Sequence, residues 1–398
     1  MAFSLDMIQS MALAVLILMV GQFLRKRVSF LERFCIPAPV IGGVIFSVLT
    51  LVLRQTGILA FDFDVTLQKV FMTAFFTTVG FTASFKMLKK GGKQVMMFLG
   101  LAIALVVLQD LVGVLLAKMF GVNPLIGLST GSVPMTGGHG TSGAYAPEFE
   151  ALGATGASAV AMASATFGLI IGSCIGGPLG KRLIEKHNLL DSEGNDHLDV
   201  SSIDATEGIT PLSSSAFLLG ACQVIMAMGL GTFISAQLSK TGMIFPSYIG
   251  AMFAAAIFRN IADFTGLLNI KAKEIDVIGD TSLSIFLAMA MMNLKLWQLG
   301  SLAGSMMVML VAQTVLMIVF AYFVTFNVMG RDYDAAVMAC GHCGFGMGAT
   351  PNAIANMSTM TQRYRMAPVA FFILPLVGSL FIDFFNATII AFFMGLFV

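Results

Sequence analysis

Charge is scarce in this chain of 398 residues: only 11% are Asp, Glu, Lys or Arg, where a soluble domain carries about a quarter. Apolar residues make up 57%, and apolar runs of membrane-crossing length recur everywhere except in one central segment. Water is therefore not the main solvent of the fold. A formal net charge of +1, without any dense lysine and arginine tract interleaved with aromatics, argues against a nucleic-acid partner. Cysteine is sparse too. The five are odd in number, and Cys35, Cys174 and Cys222 lie inside apolar runs, so no disulfide framework is implied. Positive charge is missing ahead of the first apolar run, Met11 to Leu24, and follows it instead as Arg25, Lys26 and Arg27. That order reverses a secretory leader and predicts a retained first span.

Hydropathy and punctuation predict an all-α integral membrane protein of about ten transmembrane helices. Five lie in residues 1–185: Leu5 to Leu24, Ile36 to Leu53, Leu67 to Phe85, Gln94 to Ala117 and Ala154 to Leu179. Five more lie in residues 213–398: Ser213 to Leu238, Met243 to Phe258, Ile275 to Leu294, Leu302 to Phe326 and Ala367 to Phe397. Residues 186–212, with Asp191, Glu193, Asp196, Asp199, Asp204 and Glu207, read as an acidic linker.

Between the fourth and fifth span of each half lies a stretch of little charge that glycine and proline break too often for a continuous helix: about residues 123–149 and 332–360. Such stretches are expected to be re-entrant hairpins, shielded from lipid by neighbouring helices and lining a cavity. The halves also repeat. An offset of 209 pairs Lys86 with Lys295, Gly121 with Gly330, Gly137 with Gly346, Thr141 with Thr350 and Val160-Ala161 with Val369-Ala370. An offset of 207 pairs Pro39 with Pro246, Gly43 with Gly250 and Phe46 with Phe253. Five spans per half make the repeat inverted. With both termini outside and the linker in the cytoplasm, 17 of the 22 lysines and arginines fall inside, as the positive-inside rule requires. The first hairpin then enters from outside and the second from inside.

Inverted repeats with broken helices bind solutes and coupling ions where the half-helix ends meet. Ser132, Thr136, Gly137, Gly138, His139, Gly140 and Thr141 in the first hairpin are candidates for substrate contact. Gly346, Gly348, Thr350, Pro351 and Asn352 are their counterparts in the second. Glycine lets backbone approach a ligand, and a helix start, with Thr141 or Thr350 as cap, directs N–H groups at a carboxylate. An anionic substrate is expected. Charged and amide side chains within spans are the candidates for a hard cation such as sodium: Asp110 beside Gln109, Asp383 with Asn386 three residues on, and Asn352 with Asn356. For a second substrate carboxylate, Arg363, Arg365, His139 and His342 are the available cationic residues.

The run Gly131 to Thr141 and the run Gly346-Met347-Gly348-Ala349-Thr350-Pro351-Asn352 resemble the two hairpin motifs of the bacterial glutamate:sodium symporter family. Span count, repeat and linker extend that resemblance over essentially the whole chain. Gly137-Gly138-His139-Gly140 matches the family's glycine motif in full, while Gly344-Phe345-Gly346-Met347-Gly348 is a degenerate counterpart. The resemblance implies a homodimer in the bacterial inner membrane that imports L-glutamate with sodium ions, moving a hairpin-bearing domain in elevator fashion, with no cofactor and no enzymatic activity. From the residues themselves, citrate, malate or another dicarboxylate and a proton gradient remain open. A channel with re-entrant loops is a rival, but the inverted repeat favours alternating access. Cys340-Gly341-His342-Cys343 has the spacing of a thiol redox motif; it lacks the strand before and helix after that such a site needs, and no second ligand pair suggests zinc.

Overall fold

The structure is a computed structural model that describes residues 2–190, 213–240, 246–266 and 268–397. Six long helices form its first part: α1 (Met7–Arg27), α2 (Ala38–Gln55), α3 (Thr66–Thr82), α4 (Gly92–Met119), α5 (Gly138–Ala151) and α6 (Ala157–Lys186). Eight form its second: α7 (Ser214–Ser239), α8 (Ser247–Thr265), α9 (Ala272–Met292), α10 (Ala303–Val319), α11 (Tyr333–Gly346), α12 (Thr350–Arg363), α13 (Pro368–Leu380) and α14 (Ile382–Gly395). Sequence sets the ends locally. Asp6 caps α1, its Oδ1 accepting from Gln9 N at 2.8 Å, while Gln9 Oε1 accepts from Asp6 N at 3.2 Å, a reciprocal box that satisfies otherwise orphaned donors.

Among the described residues eight helices are long and apolar enough to cross a membrane, or nine if the bent pair α13 and α14 counts as one. The expectation of ten differs at α8, where Arg259, Asn260 and Asp263 make the last two turns polar; its expected start at Met243 lies outside the described residues. The expected tenth span is not one straight helix either. It bends by 45° between Leu380 and Ile382, and the Leu380 carbonyl at the break accepts from Thr82 Oγ1 at 3.0 Å. The chain is not wholly α: β1 (Ala2–Leu5) pairs in parallel with β2 (Ala60–Phe63), Phe3 opposite Phe61. Strand order therefore claims Leu5, and α1 begins two residues later. Residues 191–212, most of the acidic linker, lie outside the described residues.

The helices pack as two groups. One holds α1, α2, α3, α7, α8 and α9; the other holds α4, α5, α6 and α10 to α14. Close approach within each group rests on glycine, as is common where no hydrophobic effect separates helix from lipid. A Cβ at Gly21 would meet the carbonyl oxygen of Ala38, and one at Gly250 that of Gly231. On α6 the ladder Gly168, Gly172, Gly176 and Gly180 faces α11: a Cβ at the first three would meet the carbonyl oxygens of Met347, Cys343 and Cys340. The largest buried cluster, including Phe98, Leu105, Tyr145, Phe149, Phe345 and Leu374, fills the second group. Tyr248 of α8 joins the groups by stacking on Phe76 at 4.4 Å between centroids and meeting Tyr145 edge-on at 5.6 Å.

Candidate functional site

Both glycine-rich stretches are helices interrupted near their middle. In the first, short turns Pro124–Leu128 and Ser132–Met135 lead to α5. In the second, α11 stops at Gly346 and α12 starts at Thr350. The breaks touch: a Cβ on Gly138, whose φ of +61° suits glycine, would lie 3.2 Å from the Gly348 carbonyl oxygen. The N-caps are Gly137 and Ala349. The expected caps Thr141 and Thr350 instead fall inside their helices, because each helix begins earlier than the threonine. Each start leaves N–H groups without a partner: Gly138, His139 and Gly140 on α5, and Thr350 on α12, have none among the described residues, the normal state of a first helical turn.

A cavity of about 850 Å³ opens between the two helix groups at these breaks. Thr136, Gly137, Gly138, His139 and Gly140 line it from the first hairpin stretch, and Gly348, Ala349, Thr350 and Pro351 from the second. Gly378, Ser379 and Asp383 complete the wall around the α13–α14 bend. The other group contributes Phe75, Leu283, Ser284 and Leu287, with Gln22, Arg25 and Lys26 at the end of α1. Of the candidates for substrate contact, Ser132, Thr141, Gly346 and Asn352 do not line it. Arg363, Arg365 and His342 are likewise outside the lining. His342 is buried against Thr325, Nδ1 to Oγ1 2.9 Å, among Phe98, Phe320 and Phe345. His139 is held by Thr166, Nε2 to Oγ1 3.0 Å.

The residues expected to hold a cation have distinct surroundings. Asp110 is fully buried and committed to the first hairpin stretch: Oδ1 accepts from Ser132 N at 2.8 Å and Oδ2 from Ser132 Oγ at 2.9 Å. Asn356 Nδ2 donates to Gly172 O at 3.0 Å and Cys340 O at 3.4 Å. Asn352 Nδ2 donates to Leu169 O at 2.9 Å and Ser173 Oγ at 3.0 Å, and Asn386 Nδ2 to Ser132 O at 3.5 Å. The Oδ1 atoms of Asn352 and Asn386 are buried with no partner among the described residues, which is costly for a carbonyl oxygen and leaves each able to accept from a donor or ligate a cation. Only Asp383 among the five lines the cavity. The sequence did not single out Gln109 beyond its place beside Asp110. Its Oε1 accepts from Thr136 Oγ1 at 2.8 Å and its Nε2 donates to Gly346 O at 2.6 Å, so one side chain joins the two stretches. Cys340 and Cys343 are free thiols buried on α11.

Helices of membrane-crossing length gathered round a solute-sized cavity with helix starts on its wall define a polytopic membrane protein. The model of the sodium/glutamate symporter family matches residues 3–366, and the chain belongs to that family. It is 39% identical over 396 residues to the sodium/glutamate symporter of Escherichia coli (strain K12), covering 99% of this chain and 98% of that one. It is 38% identical over 394 residues to that of Haemophilus influenzae, covering 98% and 97%.

Proposed function

We propose that this protein is a sodium-coupled secondary transporter that imports L-glutamate across a bacterial inner membrane by alternating access. The observation that carries the reading is the cavity itself: unpaired N–H groups of two helix starts, from segments some two hundred residues apart, share one wall. Such groups receive carboxylates. No covalent chemistry is required.

On this reading the broken stretches are re-entrant hairpins that enter from opposite sides. The recurrence of four helices, a broken stretch and a further span in each half supports an inverted repeat. Arg25 and Lys26 at the cavity mouth belong to the cytoplasmic side of the proposed topology, with both termini outside, so the cavity faces inward. The group holding both hairpins is the moving body and the group of α1 to α3 and α7 to α9 the scaffold, an elevator arrangement; two copies form the working unit. Sodium sits at the orphan Oδ1 atoms of Asn352 and Asn386, one beside each hairpin, where it ties hairpin geometry to substrate binding.

Uptake of labelled L-glutamate, L-aspartate, citrate and malate into proteoliposomes tests this, with an imposed sodium gradient, proton gradient or neither. Glutamate accumulation that needs sodium is the expected result. Accumulation driven equally by protons, or a preference for citrate, overturns it.

A further inference from the structure

We propose that Asp383 is the specificity residue of this site, receiving the α-ammonium group of the substrate on its carboxylate; the proposal rests on the cavity being the glutamate site.

Asp383 lies in the first turn of α14, just past the bend from α13, and lines the cavity beside Gly378 and Ser379. It is half-buried, and no hydrogen bond or ion pair reaches its carboxylate among the described residues. Three other carboxylates of the packed interior are already engaged. Asp110 holds Ser132, Asp263 holds Arg259 at 3.0 Å and accepts from Ser84, and Asp334 accepts from Ala370 N at 3.1 Å. A lone carboxylate at that depth needs a cation.

Two cations are on offer, sodium and the substrate's ammonium. The orphan amide oxygens of Asn352 and Asn386 are fully buried and stand outside the cavity lining, in surroundings suited to a small, stripped ion. Asp383 instead faces the space large enough for a whole amino acid. Among the described residues it is the one anionic side chain that the hairpin-bearing group adds to the lining, on the same wall as the N–H donors of Gly138 to Gly140 and Thr350, while Glu32 lines the cavity from the other group. That combination of donors for carboxylates and a charged acceptor on one wall complements a zwitterion. A plain dicarboxylate satisfies the donors and then sets its own charge against Asp383.

The test compares L-glutamate with glutarate, the same skeleton without the amino group, as competitors of sodium-driven labelled glutamate uptake by the full chain in proteoliposomes. In the unaltered protein glutarate should compete far more weakly than glutamate. Asp383→Asn should raise the KM for glutamate by about tenfold or more, the worth of one charge-assisted hydrogen bond. Glutarate should compete as well as before or better, with sodium half-saturation unchanged. Asp383→Glu should recover part of the discrimination. If Asp383→Asn supports too little flux, thermal shifts of the purified variant with each ligand read the same preference. An unchanged KM overturns the proposal, and so does equal weakening of both ligands together with a higher sodium requirement, which would make Asp383 an ion ligand. Absence of sodium-driven glutamate uptake in the unaltered protein overturns the functional reading and this proposal together, and is seen before any variant is made.

Discussion

Gln109 donates from Nε2 to the carbonyl oxygen of Gly346 at 2.6 Å while its Oε1 accepts from Thr136 Oγ1 at 2.8 Å. A single amide in α4 thereby fixes the spacing between two breaks that arrive from opposite ends of the chain. The Gln109 backbone carbonyl in turn accepts from Gln313 Nε2 at 2.7 Å, which holds α4 to α10.

Gln109→Leu keeps the bulk and removes both side-chain bonds, leaving the Gly346 carbonyl and Thr136 hydroxyl buried and unpaired. The expected cost is about 2 kcal/mol or more, read as a lower melting temperature of the detergent-solubilised protein, with glutamate uptake reduced further than stability alone accounts for. Uptake and melting equal to those of the unaltered protein would show that the amide does not set the spacing.

Asp110 separates a positioning role from an ion-binding one. Asp110→Asn retains an acceptor for Ser132 N and a group within reach of Ser132 Oγ, so folding and the sodium dependence of uptake should stay near normal. Asp110→Ala strands a buried N–H and should lose about 2–3 kcal/mol, with Ser132→Ala in between. A folded Asp110→Asn protein that has lost its sodium requirement would make Asp110 a sodium ligand instead.

Neighbouring glycines of α6 offer an internal control. Gly176→Ala drives a methyl into the Cys340 carbonyl and the Asn356 amide, whereas a Cβ on Gly177 meets nothing within 4 Å. Overpacking of this kind costs about 1–3 kcal/mol, so Gly176→Ala should melt lower than Gly177→Ala in the same detergent. Equal melting of the two would mean that the α6–α11 seam relaxes freely.

For the orphan amide oxygens, Asn352→Ala and Asn386→Ala should each raise the sodium concentration for half-maximal uptake by about tenfold, a loss near 1.4 kcal/mol. The glutamate KM measured at saturating sodium should move less. Sodium curves that overlay those of the unaltered protein would remove both residues from the ion site.

The fold was legible in the sequence where its signals are local. Long apolar runs gave most of the membrane-length helices, and glycine with proline marked both breaks, because backbone interruption needs those residue types at that place. The cavity-lining run Thr136 to Gly140 followed from the same signal. What stayed hidden depends on partners far along the chain. Gln109 is one amide in an apolar helix, and nothing near it announces Thr136 or Gly346. Asp110 and Asp383 look alike as aspartates inside spans, yet Ser132 occupies one and not the other. The bend after Leu380 has no glycine or proline at the break, and β1 and β2 pair across some 55 residues that give no local sign of it.

The glycine ladder of α6 bears on mechanical behaviour. Side chains that interlock can slip past one another by changing rotamer, but a seam of backbone lying on backbone has no rotamers to change. Gly168, Gly172 and Gly176 therefore weld α6 to α11 at the level of the main chain, and a displacement that carries one carries the other. Shear has to fall on faces dressed with flexible or aromatic groups, such as that of Tyr248 against Tyr145.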